Sequence, residues 1–175
     1  MMHKLLLLYS WFIRIILFCF PDIPLIMRIR GFLYSFFMLK KGKNFQVAHN
    51  VIINSLEHIS IGDDIYIAPN CFIIGGSKIS INSTVQIGPG CVLSSTNHQF
   101  DFKKKSFIKD RKEKGTLVID CGVWIGANCT ITAGSFIPQG SVVGANSMVN
   151  KKFENEQSIY GGVPAKFIKK LENDN

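Results

Sequence analysis

Residues 61–98 read IGDDIYIAPNCFIIGGSKISINSTVQIGPGCVLSSTNH, and an aliphatic side chain returns at every sixth place. The stops are Ile61, Ile67 and Ile73, then Ile81, Ile87 and Leu93. The same beat runs upstream through Val47 and Ile53. It resumes downstream at Ile119, Ile125, Ile131, Ile137, Val143 and Val149. The register slips by two residues at Ile59-Ser60, Ile79-Ser80 and Leu117-Val118, so the larger period is twenty. Neither a helix (period 3.6) nor a simple strand (period 2) produces this spacing. It predicts a mainly β protein, a parallel β-helix in which each short strand lies on its counterpart one coil earlier.

The other hexad positions agree. Four residues after most stops comes a small residue or valine: Val51, Cys71, Ser77, Val85, Cys91, Val123, Cys129, Ser135, Ser141 and Ser147. Such side chains fit if they too point into a narrow prism. One place earlier Gly or Asn recurs, as at Asn70, Gly76, Gly90 and Asn128. These residues tolerate the left-handed backbone that sharp corners require. Three strands and three corners make a triangular coil, with coils stacked about 4.8 Å apart.

The chain has 175 residues and a formal charge of +8, and the charge is unevenly placed. Lys4, Arg14, Arg28, Arg30, Lys40, Lys41 and Lys43 face a single acid, Asp22, in the first 43 residues. The coil body is close to neutral, which excludes a nucleic-acid surface spread along it. The expected organisation is an N-terminal helical segment over 1–40, a β-helix over 41–157 and a C-terminal turn with a basic tail over 158–175. An external loop is expected at 99–116, where the hexads stop and seven Lys/Arg meet three acids.

Leu5 to Phe20 is apolar apart from Tyr9, Ser10 and Arg14. It is short for a transmembrane helix, which needs about 20 residues, and Arg14 sits mid-span. As a signal peptide it lacks small-residue cleavage chemistry. Trp11 and Tyr9 suit the headgroup level of an interfacial helix. Pro21 and Pro24 break the chain. A second apolar helix spans roughly Leu25 to Leu39, with Asp22 placed to cap its start. The preferred reading is a helical hairpin on the membrane surface. The alternative is a pair of helices covering the open end of the β-helix.

Cys71, Cys91 and Cys129 fall in inward slots. The odd count and the absence of a Cys-x-x-Cys pair give no disulfide framework, which suits a reducing compartment. His98 closes the third coil just before the only long interruption, and an imidazole suits a general base at neutral pH. The rival reading is a solvated corner histidine. His58, Lys78 and His98 share one place in the twenty-residue period, and a cation beside His98 would keep it neutral. A zinc site would need three converging histidines, so no metal is expected.

Ser95-Thr96-Asn97-His98 before the loop, Gly122-Val123-Trp124-Ile125-Gly126 after it and Gly162-Val163-Pro164-Ala165-Lys166 near the end, set on the hexads, resemble the hexapeptide-repeat acyltransferases. The nearest branch is that of maltose, galactoside and capsular or O-antigen sugar O-acetyltransferases, and the resemblance covers about residues 44–170. It implies a left-handed β-helix, a homotrimer with active sites between subunits, and acetyl-CoA as donor. It makes His98 the base for the acceptor hydroxyl and places Trp124 beside the cleft; Asn97, Asp101, Lys78 and His58 are further acceptor-side or orienting candidates. Ala127 and Ala145 match positions that meet the pantetheine arm. Asn150 and Lys151 match a pair near its far end, and Lys166 and Lys169 match two arginines near its phosphates. The Gly126 N–H is the expected oxyanion donor. The sequence departs from the galactoside enzymes at two acceptor positions, where it has Ala68 and Gly76.

The expected activity is acetyl transfer to a sugar hydroxyl in cell-surface polysaccharide synthesis, with the protein cytoplasmic and peripheral at the inner face of a bacterial inner membrane. The rivals are serine or amino-sugar N-acetylation on the same fold, and a non-catalytic β-helical scaffold.

Overall fold

In the computed structural model, which describes residues 2–172, the hexads build a three-sided parallel β-helix. The first face stacks β1 (Phe45–Val47), β4 (Ile65–Ile67), β7 (Gln86–Ile87), β12 (Trp124–Ile125), β15 (Val142–Val143) and β17 (Ser158–Gly161). The second stacks β2 (Ile52–Asn54), β5 (Phe72–Ile74), β8 (Val92–Ser94), β13 (Thr130–Ile131) and β16 (Met148–Val149). The third stacks β3 (Ile59–Ile61), β6 (Ile79–Ile81), β11 (Leu117–Ile119) and β14 (Phe136–Ile137). Registers join like to like: Ile67 meets Ile87, Ile73 meets Leu93 and Ile61 meets Ile81.

Every aliphatic stop of the hexads is buried, and Cys71, Cys91 and Cys129 are fully buried. Each of the three thiols donates to a carbonyl of the next coil at 3.1 Å: Gly88 O, Gly126 O and Gly144 O. A small side chain is needed there because the prism narrows at its corners. Ser77 is the exception and is only partly buried, because the third coil opens at that corner and the Ser95 hydroxyl bonds the Ser77 carbonyl at 2.8 Å.

The corner after the first face runs Asn50, Asn70, Gly90, Asn128 and Asn146, all left-handed as expected. The corner before that face runs Asn44, Asp64, Thr84, Gly122, Gly140 and Gln157, also left-handed. Asp64 and Thr84 were not foreseen, because stacking imposes a corner conformation that composition alone does not mark. Gly76 is a correction: its φ is not positive. A Cβ there would lie 2.3 Å from Thr96 Cγ2, so this glycine is required by close approach.

Two helices precede the coils, α1 (Met2–Ile16) and α2 (Pro24–Ser35). They pack on β2 and β1 respectively and cover the first coil. The carbonyls of that coil have no earlier strand to accept from, and the helices supply donors instead. Ser10 Oγ donates to Ile53 O at 2.6 Å and Tyr34 Oη to Val51 O at 3.0 Å. Burial pushes the Tyr34 phenol up to about 12. Arg30, buried, donates to Leu17 O, Phe20 O and Val47 O and pairs with Asp22 at 2.6 Å. Capping of the coil end is therefore what this packing does. Asp22 does not cap α2: the N-cap residue is Ile23, without a side-chain bond, because the carboxylate is held by Arg30 and by the His49 backbone and ring.

Residues 99–116 depart from the expected loop. Chain there forms an antiparallel hairpin, β9 (Thr96–Asp101) with β10 (Ser106–Lys114), projecting from the corner between second and third faces. The basic end likewise forms β18 (Lys166–Lys170), antiparallel to β17. The last three residues of the expected tail, 173–175, lie outside the described residues.

Candidate active site

Ser95 anchors the hairpin. Its hydroxyl accepts the Ser77 N–H at 2.9 Å, its N–H donates to Ile74 O, and its carbonyl accepts the returning Gly115 N–H. From that fixed point β9 carries Thr96 and His98 on one face and Asn97 on the other. Lys112 stands directly opposite His98, and Glu113 opposite Asn97. His98 is exposed, and its ring makes no hydrogen bond among the described residues.

Beside it lies a cleft of about 430 Å³, lined among others by His3, Glu57, His58, Gly76, Thr96 and Lys112. Thr96 shares a β9 face with His98 and Lys112 is the cross-strand partner of His98, so the histidine adjoins two lining residues without lining the cleft itself. His58 also lines this cleft. Lys78 is not stacked on His98: its carbonyl accepts the Leu117 N–H, and Ile79 pairs with Leu117. The coil register therefore passes from Lys78 to Thr116, and the hairpin lifts His98 out of the column. Asp101 sits at the hairpin tip, where its carboxylate accepts the N–H groups of Lys103 and Lys104 at 2.9 and 3.1 Å. Three residues from His98 and engaged in a turn, it does not orient the ring.

His3 and Glu57 are cleft residues that sequence reasoning missed. His3 Nδ1 lies 2.8 Å from Glu57 Oε1, while the second carboxylate oxygen is buried without a hydrogen-bond partner among the described residues. Glu57 directly precedes His58 on the same corner, and that adjacency was the available signal. His3 comes from the first turn of α1, a contact no local pattern announces.

The first face carries a different set. Its outward ladder runs Tyr66, Gln86, Trp124, Val142, Ile159 and Lys169, each paired with the next. Trp124 is exposed at its middle. The β17–β18 pairing slips between Ile159 and Tyr160, so Lys166 opposes Gly161 and Lys169 opposes Ile159. Gly161 and Ile159 share a face, and the irregularity brings both lysines to that side.

Along the corner beside this ladder, the second and third coils place Pro69 and Pro89, which have no N–H. The fourth and fifth place Ala127 and Ala145, whose N–H groups donate to no backbone or side-chain acceptor among the described residues. The Gly126 N–H is not free, since it donates to Val143 O at 2.8 Å, which removes it as an oxyanion donor. Asn150 and Lys151 are exposed after β16, on the corner that two coils earlier bears the hairpin. Among the described residues no group of three His, Cys, Asp or Glu side chains could hold a metal ion.

Within one chain these two sets do not meet. The first face is the side of the prism opposite the corner that carries His98. One set offers a titratable group at a cleft; the other offers an aromatic and aliphatic row, free N–H donors and a cationic end.

No family model matches the chain. A 61-residue stretch is 51% identical to a protein of Lysinibacillus sphaericus named "Probable macrolide acetyltransferase", covering 35% of this chain and 33% of that one. A 62-residue stretch is 44% identical to the "Putative lipopolysaccharide biosynthesis O-acetyl transferase WbbJ" of Escherichia coli K12, covering 35% and 31%. The matched stretches thus span about a third of these relatives' length. Among solved structures, a hexapeptide-repeat acetyltransferase of Vibrio cholerae complexed with acetyl coenzyme A superposes with a TM-score of 0.80 and 25% identity, covering 97% of this chain and 89% of that one.

Proposed function

We propose that the chain is a hexapeptide-repeat acetyltransferase that transfers acetyl from acetyl-CoA to a sugar hydroxyl during cell-surface polysaccharide synthesis. The observation that carries the reading is the ladder through Trp124 to Lys169, flanked by the N–H groups of Ala127 and Ala145. A donor with a long, amide-bearing apolar arm and an anionic nucleotide end fits such a row. The arm lies over Trp124 and Val142, its amide oxygens accept from the corner N–H groups, and its phosphates lie toward Lys166 and Lys169. Asn150 and Lys151, on the opposite corner of the prism, do not reach this row within one chain and would meet the donor only from a neighbouring copy. Lysine supplies charge there without the bidentate grip of arginine.

The acceptor enters the cleft beside His98. The imidazole takes the hydroxyl proton as that oxygen attacks the thioester carbonyl. The tetrahedral intermediate then expels the coenzyme A thiolate, which recovers a proton from His98. Because His98 and the donor row lie on opposite sides of one prism, a complete site needs two copies, and three copies around an axis give three such sites. The reaction is placed in the cytoplasm, at the inner face of a bacterial inner membrane where glycan precursors are assembled. The Escherichia coli relative, whose name specifies lipopolysaccharide biosynthesis and O-acetyl transfer, supports the sugar acceptor.

The test is coenzyme A release from acetyl-CoA with methyl glycosides, nucleotide-linked sugars and lipid-linked sugars offered in turn. Release should depend on both protein and acceptor. Absence of acceptor-dependent release across the panel overturns the reading.

A further inference from the structure

Both N-terminal helices have two apolar sides, and the β-helix uses one of each. On α1, Leu6, Ser10 and Ile13 are buried against the coil, while Leu5, Leu8, Phe12 and Ile15 face outward at helical spacing. On α2, Met27, Arg30 and Tyr34 are buried, while Leu25, Ile29, Phe32 and Phe36 repeat at four, three and four residues on the exposed side. Phe18 and Phe20 extend the patch through the connecting turn. A single exposed leucine needs no explanation, but stripes along two adjacent helices call for an apolar partner.

The charges around the patch select the partner. Lys4, Arg14, Arg28, Lys40, Lys41 and Lys43 have no carboxylate within salt-bridge distance among the described residues. Arg28, Lys41 and Lys43 line an open groove of about 550 Å³ with Phe32. The groove's one acid, Asp63, accepts the Lys43 backbone N–H at 2.6 Å. Lys41 Nζ stands 6.0 and 5.7 Å from the Phe32 and Phe36 ring centres, which places cation and apolar stripe side by side. Two copies meeting through this surface would oppose like charges. An anionic leaflet satisfies both the stripes and the cations.

We propose that the α1–α2 hairpin docks on an anionic lipid leaflet, with its outward stripes at the acyl boundary and Arg28, Lys41 and Lys43 against headgroup phosphates. This rests on the peripheral location given under the proposed function and assigns the surface responsible for it. No helix among the described residues is long and apolar enough to cross a membrane, so the contact is interfacial. Because His3 and Leu7 of α1 also line the acceptor cleft, docking holds that cleft at the membrane surface. A sugar on a lipid carrier is then presented to His98 without leaving the leaflet.

The test is vesicle flotation with the full chain. Vesicles containing phosphatidylglycerol should bind it about ten-fold more tightly or better than pure phosphatidylcholine, and high salt should release part of it. The triple substitution R28Q/K41Q/K43Q should abolish the preference for anionic vesicles with an unchanged melting temperature. The triple substitution F12S/F32S/F36S should lose binding to both vesicle types. Neither variant should alter coenzyme A release with a soluble methyl glycoside, and both should lose activity on a lipid-linked sugar. Failure of the full chain to bind vesicles, or equal binding to both compositions, overturns the proposal. So does a change of oligomeric mass in F12S/F32S/F36S without vesicle binding, which assigns the patch to a protein interface. Vesicle binding without any acetyl transfer overturns the catalytic reading alone.

Discussion

The coils and the hairpin that interrupts them hold their side chains on different terms. In the coils Ile73 is fully buried between Ile53 below and Leu93 above, and its strand is bonded on both sides. In the hairpin Phe100, Phe102 and Phe107 are exposed, and Phe102 and Phe107 each meet Phe100 edge to face with ring centres 5.2 Å apart. One region is fixed by neighbours at every level, and the other can adjust. His98 lies at the junction, three residues beyond the buried Ser95 anchor. A base placed there is positioned by a rigid scaffold yet reachable by a substrate.

Removing the proposed base tests the junction with the largest expected effect. His98→Ala should lower kcat by about 10²–10⁴-fold, the usual cost of losing a general base. The urea midpoint should not move, because the exposed ring has no hydrogen-bond partner among the described residues to lose. Near-normal turnover in that variant ends the mechanism.

The contrast in packing comes next. Ile73→Ala removes a side chain from a stack that cannot collapse around the gap, and should cost about 2–5 kcal/mol in urea unfolding. Phe102→Ala at the hairpin tip should change stability by less than about 0.5 kcal/mol. Equal losses at the two sites would show that the hairpin is as tightly coupled to the coils as the coils are to each other.

The same division explains what was legible in the sequence. Where a residue's surroundings are its own repeat, as for Ile67 or Cys91, six-residue spacing states the environment and the structure follows it. The hairpin has no repeat, so 99–116 read as a loop although β9 and β10 pair along its length. The column of His58, Lys78 and His98 failed for one reason: counting by twenty crosses the point where the chain leaves the coil. The proposed donor row was only partly readable. Trp124 and the alanines came from a resemblance, whereas the shared face of Lys166 and Lys169 depends on a strand irregularity that composition does not reveal. Glu57 was overlooked because its partner, His3, lies 54 residues away.

A smaller effect is expected at the cationic end. Exposed lysines contribute little each, so K166Q/K169Q should raise KM for acetyl-CoA by roughly five-fold and leave the acceptor KM unchanged. The difference from wild type should shrink as salt is raised, because screening removes what the lysines supply. A rise in acceptor KM instead would move these residues out of the donor row.

The smallest expected effect concerns the join between helices and coils. Burial pushes the Asp22 carboxyl up, but bonds from His49 and Arg30 outweigh it and hold the group below its ordinary value. A carboxylate depressed in the folded state stabilises above its unfolded pKa of about 3.9, and that stability fades as pH falls through the folded value. Asp22 is partly solvated, with a side chain 24% exposed, so its pairs belong at the upper end of the roughly 0–1 kcal/mol of surface salt bridges. Arg30 raises the stakes, since its guanidinium is buried and the three backbone carbonyls it also reaches carry no charge. Asp22→Asn should therefore loosen the helices before the coils. Hydrogen exchange at pH 7 should rise in α2 and stay unchanged in β5 and β8, and wild type taken below about pH 4 should approach the same pattern. If exchange rises in helices and coils together, the cap and the β-helix unfold as one unit, and the first coil depends on its helices for stability as well as for hydrogen-bond donors.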